Sequence, residues 1–152
     1  MAPYIKTAQT AWPANTPESI KDFVEVFFQL LDGGTSEAAK QWSELWVPDG
    51  GEFHAFGQIF KGRDEIEGYL FRSQKIFAGL NHIPKKVYIH GQDGMDLTVI
   101  TTYEITFPNG KYVSGESAAM LEFAKQDSQM FVRMNRLIIV SVKDDQSHYF
   151  LY

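Results

Sequence analysis

The chain contains no cysteine, which excludes thiol catalysis, thiolate metal sites and a disulfide framework, and fits an intracellular, cytoplasmic protein. It also lacks any apolar run approaching the length of a membrane span. Its start, MAPYIKTAQTAWPANTP, has no continuous apolar core of the kind a signal peptide carries. The expectation is a soluble protein without a membrane partner. Basic charge is scarce: 14 Lys and Arg stand against 19 Asp and Glu, and Lys85-Lys86 is the only adjacent basic pair. No stripe exists to track a phosphate backbone, so nucleic acid is not expected as a partner. The histidines at 54, 82, 90 and 148 show no His-x-His or His-Glu-x-x-His spacing. Nor is there a Gly-x-Gly-x-x-Gly, a phosphate loop or a Gly-x-Ser-x-Gly elbow. Metal sites, nucleotide cofactors and serine hydrolysis therefore have no signature here, and no cofactor is expected.

What is abundant is aromatic side chain: 12 Phe, 7 Tyr and 3 Trp among 152 residues. That length suits one domain able to bury roughly 70% of the surface its unfolded form exposes. Rings in this number either fill the core or line a cavity for an apolar ligand.

Residues 1–15, with two prolines and no periodic apolar pattern, read as an extended arm that packs through Tyr4, Ile5 and Trp12. Residues 16–152 read as the domain. Thr16-Pro17-Glu18 supplies a cap, a first-turn proline and an acid, so a helix is predicted over 17–32, with Ile20, Phe23, Val24, Phe27, Leu30 and Leu31 on its apolar stripe and Gly33-Gly34 ending it. A second helix is capped by Thr35 or Ser36, carries Ala39, Trp42 and Trp46 on one face, and stops at Pro48-Asp49-Gly50-Gly51. Residues 52–56 and 58–61 read as a short strand pair around Gly57, and a third helix follows Gly62. From residue 80 the period changes from helical to alternating, predicting strands at 87–90, 96–107, 111–124 and 130–142, with Asn109-Gly110 as the strongest hairpin signal. The plan is α-α-β-β-α-β-β-β-β, an α+β domain with helices on one face of a curved antiparallel sheet.

This order, with Pro48-Asp49-Gly50, Phe53-His54, Gly62-Arg63-Asp64-Glu65-Ile66 and the run Asn81 to Gly91 (NHIPKKVYIHG), resembles the nuclear transport factor 2-like superfamily. The similarity points to its SnoaL-like branch, alongside ketosteroid isomerase and scytalone dehydratase. The resemblance covers about 16–142 and implies a cone-shaped sheet wrapped around three helices, a deep pocket between them, and a homodimer through the outer sheet face.

The resemblance also implies site residues. His82 matches a catalytic histidine of scytalone dehydratase, and Asp32 matches the aspartate that pairs with it, a couple that fixes the imidazole tautomer. The plain alternatives are a loop histidine near a helix end and an ordinary Asp-Gly-Gly turn. Asp32 closes a helix whose C-terminal dipole disfavours a carboxylate, so helix stability does not explain it. His54 falls near the carboxylate that shuttles a proton in the isomerase, and otherwise reads as a core or surface histidine. By alternation, His54 shares a face with Glu52 and Phe56.

On the second long strand Leu97, Val99, Thr101, Tyr103 and Ile105 form the more apolar and therefore concave face. Tyr103 there either orients a substrate oxygen or is a buried structural tyrosine. Ser117, Ala119, Leu121 and Phe123 face inward on the next. Ala119 departs from the family, standing where the isomerase has an acid and the dehydratase an asparagine. The last strand does not declare which of its alternating sets faces in; Asn135 or Arg133 is available to the pocket.

The expected ligand wall comprises Phe27, Phe56, Tyr69, Leu97, Val99, Thr101, Ala119, Leu121 and Asn135. The functional expectation is a cofactor-free acid/base enzyme, a dehydratase, isomerase or cyclase acting on a small apolar, cyclic or polyketide-like metabolite. His82, Asp32, His54 and Tyr103 would carry the chemistry. The alternative is a non-catalytic ligand-binding or dimerisation module of the same fold. Convergence of Asp32, His54 and His82 on one void separates the two, and histidines on opposite sides of the sheet would remove most of the support for an enzyme.

Overall fold

The computed structural model describes residues 4–91, 93–144 and 149–151; His148 and Tyr152, and residues 1–3 of the predicted arm, lie outside the described residues. Three helices, α1 (Glu18–Leu31), α2 (Ser36–Ser43) and α3 (Gly62–Ile76), form where the capping and periodicity signals stand. The Thr35 hydroxyl caps α2 by accepting the Ala38 N–H at 3.1 Å. The strands are β1 (Glu52–Ala55), β2 (Gln58–Lys61), β3 (Gly79–His90), β4 (Asp96–Thr106), β5 (Tyr112–Gln126), β6 (Gln129–Asp144) and β7 (Tyr149–Leu151). They build one sheet in the order β2-β1-β6-β5-β4-β3, with β7 also on β6. The pairing is antiparallel except for β1 on β6, which is parallel.

The helices cover the concave face, and their stripe residues join the inward residues of the sheet in one core. Val24, Phe27, Ala39, Trp42, Ile66 and Leu70 meet Phe53, Val87, Val99, Leu121 and Val132, all buried. The buried Trp46 joins them from beyond α2, which ends at Ser43 and not, as expected, past Trp46; there Trp46 bridges Val132. Trp42 and Trp46 stack edge-on at 4.6 Å and Phe53 meets Tyr69 at 4.9 Å; such pairs contribute about 0.5–1.5 kcal/mol each beyond their area. Arg63 explains part of its own motif. Its guanidinium donates to the carbonyls of Trp46 (2.7 and 3.0 Å) and Glu44 (3.0 Å), tying the start of α3 to the end of α2.

Two differences from the sequence reading matter for the site. Strand β3 begins at Gly79, eight residues before the predicted start, and so includes His82 and Pro84. Proline argues against a strand interior, but β3 lies at the sheet edge, where a missing N–H is tolerated, and the register slips between Pro84 and Lys86. His82 is therefore fixed in register opposite Tyr103 and does not lie in a loop. On β6, the register shift between Glu122 and Phe123 makes Arg133 the extra residue. Val132 and Asn135 consequently both face inward and are buried, which no simple alternation allows.

The described part of the arm, residues 4–15, is tied down at several points. The Ala11 N–H donates to the Lys85 carbonyl at 2.9 Å and the Val87 N–H donates to the Ala11 carbonyl at 3.0 Å, so the arm bridges β3 at its irregularity. Glu25 of α1, 2% exposed, receives the Lys6 N–H, the Thr7 N–H and the Thr7 hydroxyl, each at 2.9 Å, and the Gln29 amide at 2.8 Å. Burial pushes this carboxyl up, but those four donors outweigh it and hold Glu25 below the usual carboxylate value. The expected contact through Ile5 does not form, since Ile5 is exposed; Trp12 packs against the core.

Candidate active site

A cavity of about 750 Å³ lies between the helices and the concave face, within the range of small-molecule sites. Its inner wall is aromatic and aliphatic, with Phe27, Phe28, Trp42, Tyr69 and Leu70 from the helices and Phe53, Ala119, Leu137 and Ile139 from the sheet. Phe56, Ile76 and Ile138 line it while 66%, 57% and 47% exposed, which marks the mouth. Phe56 gets there because its φ of 53° swings it out of the strand alternation. A second hollow of about 310 Å³ adjoins the first through Leu31, Leu70, Ser73, Phe77 and Leu80, and Asp32 lines it.

Asp32 and His82 meet where helix and sheet converge. The end of α1 presents the carboxylate as its C-cap, and β3 presents the imidazole into the cavity. The His82 ring Nδ1 lies 2.7 Å from Asp32 Oδ1, and the His82 backbone N–H donates to Asp32 Oδ2 at 2.6 Å. A carboxylate only accepts, so Nδ1 carries a proton, and in the neutral ring the lone pair is on Nε2. Phe28 and Tyr103 flank the ring at 5.9 and 6.5 Å. Lys6 is a second donor to Asp32 Oδ2, its Nζ lying 2.7 Å away, and it also donates to Asn81 Oδ1 at 2.7 Å.

Tyr103 lines the cavity, but its hydroxyl donates to the Ser141 carbonyl at 2.8 Å. That fits a structural tyrosine better than a donor to a developing oxyanion. Thr101 and Ser117 place two hydroxyls 2.6 Å apart on the cavity wall. One proton joins them, and the Thr101 hydroxyl also has the Ser117 carbonyl as an acceptor at 3.5 Å. Two buried polar atoms of lining residues, Trp42 Nε1 and Asn135 Oδ1, have no hydrogen-bond partner among the described residues. Burial pushes the Tyr69 phenol up, with the Ser73 hydroxyl opposing, so Tyr69 stands as a neutral wall.

His54 does not join this group. Its neighbours Phe53 and Ala55 are buried, Phe53 lines the cavity, and His54 lies on the opposite face of β1 with its Nε2 3.2 Å from Glu52 Oε1. Its partners in register are Ile59 and Arg136. Of the expected ligand wall, Phe27, Phe56, Tyr69, Thr101, Ala119 and Asn135 line the cavity. Leu97, Val99 and Leu121 are buried in the core behind it. Sequence reasoning passed over Lys6, which carries no periodic signal. It read Ser117 as inward without assigning it a part. Among the described residues no group of three or more His, Cys, Asp or Glu could hold a metal ion, and no helix is long and apolar enough to cross a membrane.

The sequence matches no family model and no curated protein. Solved structures do match. One is the Putative Scytalone Dehydratase of Novosphingobium aromaticivorans, with TM-score 0.73 and 16% identity over 88% of this chain and 89% of that one. Another is a type 2 hexachlorocyclohexane dehydrochlorinase (LinA), at 0.72 and 10% over 89% and 92%. A third is an NTF2-like protein of unknown function from an Exiguobacterium species, at 0.64 and 13% over 77% and 97%. At such identities the likeness is one of architecture, and what it establishes is that this chain has the nuclear transport factor 2-like fold.

Proposed function

We propose that the chain is a cofactor-independent lyase or isomerase that removes a proton from a small, largely apolar, cyclic or polyketide-like molecule, with His82 as the base. The observation that carries this is the double hold of Asp32 on His82 at the wall of an apolar cavity. It fixes the ring, fixes the tautomer and offers Nε2 to the ligand, which is the arrangement general-base catalysis needs. With His54 outside the cavity, a two-histidine relay is dropped. One base suffices for an elimination in which the abstracted proton is later passed to the leaving group. Two of the structural neighbours carry the names of lyases, a dehydratase and a dehydrochlorinase, and that supports elimination over cyclisation. The Thr101–Ser117 hydroxyls and Asn135 would orient the polar end of the ligand.

The second reading, a non-catalytic ligand-binding module, draws support from the single proton carrier. Nitrobenzisoxazole separates the two, because ring opening of this flat apolar probe needs only a positioned base. The expected result is saturable turnover that falls roughly 10²- to 10⁴-fold in His82→Gln. Turnover unchanged in that variant would leave the binding module standing. We also propose the homodimer expected from the resemblance, through the outer sheet face where Met120 and Val140 are exposed; sedimentation of wild type against Met120→Glu tests it.

A further inference from the structure

We propose that Lys6, carried in on the N-terminal arm, is a positioning residue that sets how tightly His82 holds its proton. The inference rests on the reading of His82 as the base.

Lys6 is an unusual way to fasten an arm. Its side chain is only 14% exposed and the Asp32 side chain only 5%. Desolvating such a pair costs free energy that offsets much of its attraction. The arm is in any case already fastened by Glu25 on one side and by the Ala11 bridge on the other. What those two anchors achieve together is to deliver one ammonium group to Asp32 Oδ2, while Asp32 Oδ1 faces the His82 ring. Asn81, the neighbour of His82 on β3, takes a second Lys6 proton and fixes the direction of the ammonium.

The electrostatic consequence follows from the charges. With Lys6 present, Lys6, Asp32 and neutral His82 sum to zero, so protonating His82 creates a net positive site. Without Lys6, Asp32 and neutral His82 carry a net negative charge that protonation cancels. Lys6 therefore disfavours the imidazolium and keeps Nε2 available as a base at lower pH. Other titratable groups in this network are Glu25 on α1, Tyr103 and Glu104 on β4, and Tyr69 on α3. Glu25 is occupied by the arm, and Glu104, exposed, reaches Asn81 at 3.4 Å and the Tyr112 hydroxyl. Burial pushes the Tyr69 phenol up, and the Tyr103 hydroxyl donates to the Ser141 carbonyl.

The test is an NMR titration of the His82 ring carbon-bound proton, assigned with His82→Gln, in wild type, Lys6→Met, Lys6→Gln and Lys6→Arg, with thermal unfolding to verify that each is folded. The midpoint is expected to rise by about one pH unit in Lys6→Met and Lys6→Gln, and to return toward wild type in Lys6→Arg, which keeps the charge. The acid limb of nitrobenzisoxazole turnover should move the same way. A midpoint that stays put or falls in both uncharged variants overturns the proposal. Full turnover in His82→Gln would instead overturn the role of His82 as base, and the titration would still report whether Lys6 governs its proton.

Discussion

Asp32 grips His82 at two points, accepting from the ring Nδ1 at 2.7 Å and from the backbone N–H at 2.6 Å, so that strand and side chain are located by the same carboxylate. The grip depends on both oxygens being acceptors. In Asp32→Asn one end becomes a donor. The Oδ2 side faces two donors, the His82 N–H and Lys6, whereas the Oδ1 side faces one. The amide should therefore turn its oxygen to the pair and its NH₂ to the ring, which moves the imidazole proton to Nε2. Ring nitrogen-15 shifts should show this tautomer switch, with nitrobenzisoxazole turnover down roughly 10²- to 10⁴-fold and the fold intact.

Glu25 predicts how the arm responds to acid. Its carboxyl is held below its ordinary value, so its contribution to stability is complete above the unfolded value and is lost as pH falls through the folded one. The Lys6 and Thr7 amide resonances should titrate with a midpoint below that of an exposed glutamate, and their hydrogen exchange should quicken beneath it. Glu25→Gln should show neither transition.

Gly115 sits in register with Tyr103, and a side chain there would collide with the Ser141 carbonyl and come within 2.7 Å of the Tyr103 hydroxyl. The collision is with backbone, which cannot step aside. Gly115→Ala should cost about 2 kcal/mol or more, seen as an unfolding midpoint roughly 4–8 °C lower.

Asn135 is 3% exposed and its Oδ1 has no partner among the described residues. Removing such an acceptor removes its desolvation penalty, so Asn135→Leu should raise stability by about 1 kcal/mol. Binding of a hydroxylated aromatic such as naphthol should weaken about tenfold, the worth of one hydrogen bond. Stability and binding moving in opposite directions would mark Asn135 as kept for the ligand.

Element order was legible because caps, periodicity and Asn109-Gly110 act locally. The inward face of β4 followed from its alternation, and Leu97, Val99, Thr101 and Tyr103 are buried as expected. Misread features were those set by distant partners. Pro84 hid the first half of β3 because nothing in the local sequence tells an edge strand from an interior one. The bulge at Arg133, which turns Asn135 inward, is decided by pairing with β5. His54 follows its own alternation faithfully; the error was to let Phe56 share its face, when a positive φ takes Phe56 elsewhere. Lys6 was invisible because its meaning depends on a strap that crosses from α1 to β3.

That strap has a consequence for the chain in solution. β3 is the outermost strand on its side of the sheet, and unpaired edges recruit strands from other molecules. Here the edge is interrupted where it would be most inviting: Pro84 offers no N–H, and Ala11 occupies the Lys85 carbonyl and the Val87 N–H. Loosening the arm would expose a templating edge at the strand that bears His82, so variants that free Lys6 from Asp32 by detaching the arm should aggregate. Lys6→Met, with its backbone still anchored to Glu25, should stay dispersed.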